Sequence, residues 1–160
     1  RRIGFVGDAP PPGSGYTSSR RRRLGYADVV AEAGLEHDAA LVVEGGWETP
    51  WTATESATRL LTLAEPPTAI VAADDLIALA VIEAARVGGL RVPDDLSVVG
   101  YDDLEVARIT GLTTVHQPLE ETGRHAAELV LDAIAGRRAA TVVLPTSLVV
   151  RRSTAPPRRA

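Results

Sequence analysis

The chain has no cysteine and no methionine, and aromatic residues make up only 4% of it. Without cysteine there is no disulfide framework, no thiolate zinc site and no thiol nucleophile. The three histidines, His37, His116 and His125, are scattered without metal-ligand spacing, and neither a metal nor a cofactor is expected. No apolar run reaches the ~18 residues of a membrane span and no signal peptide is visible, so the expected location is the cytoplasm, away from membranes. Basic residues are not in excess: 17 Lys and Arg against 21 Asp and Glu leave a net charge of -4. That argues against this chain itself gripping a phosphate backbone. A chain that opens on Arg1 and lacks Met is expected to belong to something longer.

What is present is enough for one ordinary domain. A chain of 160 residues, 45% of them hydrophobic, can bury roughly 70% of the surface its unfolded form exposes. With so few aromatics, Ala, Val, Leu and Ile must build the core. Pro67 to Asp103 is the most informative stretch. Ala69-Ile70-Val71-Ala72 runs into Asp74 and Asp75, a helical pattern covers about Leu76 to Val87, and Gly88-Gly89 stops it. Ser97-Val98-Val99 then runs through Gly100 and Tyr101 into Asp102 and Asp103. A right-handed βαβ unit brings both aspartate pairs to one sheet edge, where ligands of open parallel sheets bind.

The rest of the chain repeats the alternation. Arg2 to Val6 reads as a strand, Gly7 to Gly15 as a loop, and a helix capped by Thr17, Ser18 or Ser19 runs to about Ala33. Ala40 to Glu44 is a strand and Thr52 to Ala64 a helix, ended by Pro66-Pro67; Leu112 to Val115 is a short strand. Leu119 to Ile134 is an amphipathic helix, and Thr141 to Val150 gives one or two strands broken at Pro145. The fold class is therefore α/β, a parallel sheet with helices on both faces.

Four loops share the ligand-facing edge: residues 7–19, 45–51, 73–75 and 101–103. They carry Arg22 on the helix that follows, Trp47 and Trp51, and the aspartates. Ring faces, a guanidinium fork and carboxylates suit a polyhydroxylated ligand. Each residue also has a plainer reading. Asp75, or less readily Asp74, can cap the next helix, and Asp102 and Asp103 can cap a turn at 104–108. Trp47 can anchor its loop on Trp51, and Arg20 to Arg23 can be a solvated helix face. His116 and Gln117 suit a hinge or pocket as well as a surface pair. No nucleophile turn is present, and Gly13-x-Gly15 fails as a dinucleotide fingerprint because Ser18 stands where the third glycine belongs. No enzymatic activity is expected.

The segments RIGFVGD, SSRRRRLGYADVVAEAGL, TAIVAADDLIALAVIEAARVGGLRVPDDLSVVGYDD, LTTVHQPLEETGRHAAELVLDAI and LPTSLVVRRST resemble, in order, the C-terminal part of the effector-binding core of LacI/GalR-type transcriptional regulators. The resemblance implies a type I periplasmic-binding-protein-like lobe: residues 1–115 and 141–154 form most of the C-terminal lobe. Residues 116–139 cross a hinge and supply a helix of the other lobe. It further implies a small-molecule effector, usually a sugar, a homodimer, and operator DNA bound by a headpiece outside this chain. Matched to the family motifs, the effector contacts are Ser18, Arg22, Trp47, Asp74 and Asp102, with Asp74 where the family often has asparagine. A helix over 119–134 without its other-lobe partner is expected to fold back on its own lobe or to pair with a second chain. The competing reading is a solute-binding protein of a sugar transporter, which shares this fold and pocket chemistry.

Overall fold

The computed structural model describes residues 2–9, 13, 17–35, 38–46, 50–138 and 140–156. Six strands form one sheet: β1 (Ile3–Ala9), β2 (Val42–Gly46), β3 (Ala69–Ala72), β4 (Ser97–Asp102), β5 (Thr113–His116) and β6 (Ser147–Val149). Between them lie α1 (Ser18–Glu32), α2 (Pro50–Leu61), α3 (Asp75–Val87), α4 (Glu105–Thr110) and α5 (Leu119–Ile134). The order across the sheet is β2-β1-β3-β4-β5-β6. All neighbours are parallel except β5 and β6. The expected parallel α/β sheet is observed, with one antiparallel edge strand added. α5 leads away from the sheet instead of covering it, so the returning chain pairs in the opposite sense.

The strand order reverses at β1: α1 leads from β1 to β2 on one side, and α2 leads from β2 back to β3 on the other. Right-handed crossovers then place α1 on one face and α2 with α3 on the opposite face. The core lies mainly on the second face, where Val6, Ala57, Leu60, Ile70, Ala78, Val81, Ala85 and Val98 pack without exposure or nearly so. Small residues let α2 and α3 approach closely. On the α1 face Phe5 is fully buried and meets the Tyr26 ring at 5.4 Å between centroids.

Several boundaries move from their sequence positions for local reasons. β1 continues past Val6 because Gly7 and Asp8 pair with Glu44 and Gly45 of β2. α1 has Thr17 at its N-cap position without a side-chain cap bond; Ser19 Oγ donates instead to Asp8 O at 3.2 Å. A 3-10 turn at Ala39–Leu41, capped by Asp38, delays β2. Residues 140–146 carry no regular structure, which shortens the last strand to Ser147–Val149. α5 has no buried residue, and Val130, Leu131 and Ile134 stand more than half exposed. Of the two expectations for it, folding back onto its own lobe is not observed, and pairing with a second chain stays an expectation; it borders a groove shared with the 142–146 segment. Among the described residues no helix is long and apolar enough to cross a membrane.

Candidate functional site

The carboxyl ends of β1, β3 and β4 meet at the strand-order reversal, the position where open α/β sheets bind ligands. Arg22 reaches this edge from the second turn of α1. Its guanidinium donates to Ala73 O at 2.5 Å and to Asp102 Oδ1 at 3.2 Å, and lies over the Tyr101 ring at 3.8 Å from the centroid. Arg22 and Asp102 are about four-fifths buried. The planar fork thus ties α1 to the ends of β3 and β4 at one point. From the far side Gln117, just beyond β5, donates Nε2 to the same Asp102 oxygen at 2.5 Å.

Asp102 and Asp103 hold φ of 112° and 58°, a left-handed backbone that few non-glycine residues adopt. The surroundings over-determine that turn. Asp75 is fully buried and accepts from Leu104 N at 2.7 Å and from Thr114 Oγ1 at 2.5 Å. Asp103 accepts from Arg151 at 2.7 Å and pairs with His116 Nδ1 at 3.1 Å. Gly100 leaves the room for this: a Cβ there would overlap Asp75 Oδ1.

Two capping expectations are corrected. The α3 cap is Asp74, whose Oδ1 accepts from Ile77 N at 2.7 Å; Asp75 instead turns inward to hold the 102–104 turn. Neither Asp102 nor Asp103 caps α4, whose N-cap residue Leu104 has no side-chain cap bond. Asp102 instead accepts from Arg22 and Gln117, and Asp103 meets Arg151 and His116.

Burial pushes the Asp74 carboxyl above the ordinary value, against the pull of its cap bonds, and nearby Asp8 adds to the rise. Asp102 is also raised, chiefly by burial, with Arg22 and Gln117 opposing and Asp74 and Asp75 assisting. Desolvation outweighing an adjacent guanidinium is reasonable, because Arg22 shares its charge among three partners.

Of the residues read from sequence, Arg22, Asp74 and Asp102 come together here. Ser18 lies at the start of α1, its Oγ buried without a hydrogen-bond partner among the described residues. Trp47 lies outside the described residues. The sequence does not mark Tyr101 as the platform for Arg22, and for Gln117 it allows hinge, pocket and surface alike; the structure gives them these places. Period-two alternation from buried Val98 and Gly100 marks Tyr101 as facing the α1 side, which was the available signal.

The family profile described as a periplasmic binding protein-like domain matches residues 1–154. The chain belongs to this family. Its relatives within the periplasmic-binding-protein-like family are LacI-type regulators. It is 38% identical over 149 residues to the HTH-type transcriptional regulator DegA of Bacillus subtilis, covering 90% of this chain and 44% of DegA. It is 40% identical over 136 residues to the regulator CelR of Thermobifida fusca, covering 82% of this chain and 40% of CelR. The solved transcriptional regulator CelR–cellobiose complex superposes with a TM-score of 0.85 at 36% identity, covering 96% of this chain and 46% of that one. A LacI family regulator from Mycobacterium smegmatis gives 0.83 at 34%, over 98% of this chain and 58% of that one. The chain therefore spans less than half the length of DegA and CelR, and those relatives are regulators, not enzymes.

Proposed function

We propose that this chain is most of the C-terminal lobe of an effector-sensing domain, in a homodimeric regulator whose operator-binding headpiece lies outside it. The carrying observation is the buried Arg22–Tyr101–Asp102 cluster at the strand-order reversal. It fixes a guanidinium, backed by an aromatic ring, beside a carboxylate at one crevice, and such donor and acceptor groups read hydroxyls on a sugar. Ser18, Trp47 and Asp74 complete the contact set in this reading. The CelR–cellobiose complex supports a sugar-like effector. A transporter solute-binding protein is not favoured, because the regulators DegA and CelR are the relatives matched.

Residues 1–115 and 141–154 are the lobe proper, and 116–139 belong to the crossing and the second lobe. The unburied α5 and its groove of about 410 Å³ against residues 142–146 support that division. Ligand closes the two lobes, and closure alters operator binding only to the extent that the effector prefers one state.

Titrating the intact protein with mono- and disaccharides, nucleosides and purines while following Trp47 and Trp51 fluorescence tests this. A saturable change that disappears in Asp102→Ala is expected. A flat response across the panel, or one that survives Asp102→Ala, counts against it.

A further inference from the structure

Two consecutive aspartates at the end of β4 hold two consecutive residues where the chain leaves the sheet. Asp102 accepts from Gln117 at 2.5 Å, and Asp103 Oδ2 meets His116 Nδ1 at 3.1 Å. His116 is the last residue of β5, and its partner in the ladder is Ser147, the first residue of the returning β6. The outgoing and returning chain therefore meet at His116. Gln117 is bonded to the carboxylate proposed for the effector, whereas His116 is bonded to a carboxylate for which that reading has no use.

Asp103 is itself anchored to the lobe. Arg151 donates one guanidinium nitrogen to Asp103 Oδ1 at 2.7 Å and another to Leu112 O at 2.9 Å, and its backbone N–H reaches Thr113 Oγ1 at 2.9 Å. The side chains of Arg151 and Asp103 are more than four-fifths buried, and that of His116 is about half exposed. One carboxylate thus bridges a fixed arginine and the imidazole at the mouth of the crossing. The imidazole is the end of this bridge that solvent protons reach.

Histidine is the side chain that ordinarily changes charge between about pH 5 and pH 8. A neutral ring gives Asp103 a hydrogen bond; a charged ring adds an ion pair at the same oxygen. The other charged groups on the neighbouring elements are engaged. Asp102 takes Arg22, and buried Asp75 takes Leu104 N and Thr114 Oγ1. On α5, Arg124 and His125 both meet Glu128. Arg151 on the same carboxylate opposes a second positive charge, which keeps the gain within the range of a partly exposed ion pair. A gain of that size adjusts a local opening and leaves the lobe folded.

We propose, on the division into lobe and crossing above, that Asp103 is a positioning residue acting through His116. It ties the start of the crossing to the lobe, more firmly when His116 is charged, and so sets how readily Gln117 leaves Asp102. The test is hydrogen exchange of the intact protein, read amide by amide and corrected for intrinsic rates, at about pH 5.5 and about pH 7.5. The amides of His116, Gln117 and Leu119 should be about twofold to fivefold better protected at the lower pH. Those of Val98 and Thr113, which bond Ser153 inside the lobe, should not follow. His116→Gln keeps a donor for Asp103 but carries no charge. Asp103→Asn keeps an acceptor for Arg151, and asparagine tolerates the φ of 58°. Each variant should flatten the pH profile. Equal protection at the two pH values overturns the proposal, as does a profile that survives either variant. Protection lowered equally at both pH values in Asp103→Asn, with the profile kept, makes Asp103 merely structural and overturns it too. The measurement uses no effector, so a flat response to the saccharide panel overturns the sensor reading and leaves this tie standing.

Discussion

Gly100→Ala tests whether the turn that carries Asp102 depends on the close approach of α3 to β4. The new Cβ would overlap Asp75 Oδ1, stand 2.9 Å from Leu112 Cδ2 and 3.3 Å from Asp75 Cα. Leu112 is fully buried but ends in a methyl that can rotate aside. Asp75 Cα cannot yield alone, because it is backbone in the first turn of α3, directly after the cap. Overpacking of this kind costs about 1–3 kcal/mol. Displacing the Asp75 carboxylate also strips Leu104 N–H or Thr114 Oγ1 of its acceptor, and a buried unsatisfied group costs about 1–3 kcal/mol. Together the loss is about 3–4 kcal/mol, a large part of a stability of about 5–15 kcal/mol. Urea unfolding should show it as a midpoint lower by roughly 1.5 M at an unchanged slope of about 2 kcal/mol/M. Effector affinity should fall with it, since Asp102 lies two residues along. A loss below about 0.5 kcal/mol would refute the reasoning, because such a loss lies within the range of an ordinary surface change.

Arg22→Lys keeps the charge but cannot span Ala73 O and Asp102 while stacking on Tyr101. It should cost about 1–2 kcal/mol in urea unfolding and weaken effector binding by more than about tenfold in calorimetry. The raised Asp74 and Asp102 carboxyls hold their protons more tightly folded than unfolded. Their contribution to stability is therefore present at acid pH, falls as pH rises from the ordinary 3.8 through their raised values, and is level above them. Glu83 and Glu105 are shifted the opposite way but are fully exposed. The difference between wild type and Asp102→Asn across pH isolates the buried group, and a pH-independent difference would contradict the assignment.

The order of elements was legible because glycine and proline punctuate it. Gly34, Gly88-Gly89, Gly111 and Gly136 follow helices, and Pro66-Pro67 separates α2 from β3. The roles of adjacent identical residues were not. Asp74 and Asp75 offer the same carboxylate one position apart. What separates them is long-range: Leu104 N and Thr114 Oγ1, 29 and 39 residues away, draw Asp75 inward. The same holds for Arg22 within its run of four arginines, where helix phase alone decides which one meets Ala73 and Asp102. The V-G-Y-D segment drew attention to its aspartate, yet Tyr101 supplies the surface on which the arginine lies. The apolar stripe of α5 could be anticipated, and within this chain no residue of it is buried.

In the proposed sensor, Asp102 is the residue through which effector and crossing would meet. One of its oxygens takes both Arg22, from the lobe, and Gln117, at the start of the path to α5. Its backbone sits in a conformation that costs about 1–3 kcal/mol for a non-glycine residue. The cost is sustained because Asp75 holds Leu104 on one side and Arg151 and His116 hold Asp103 on the other. A carboxylate fixed this firmly cannot move to meet an effector. The effector must either add to Oδ2 or compete for Oδ1. Competition would release Gln117 and so alter the crossing; addition would leave it bound and favour the geometry already present. Gln117→Ala separates the two cases. It should tighten effector binding about threefold to tenfold if the ligand competes for Oδ1, and leave it unchanged or weaker if the ligand adds to Oδ2, with calorimetry on the intact protein as the measure.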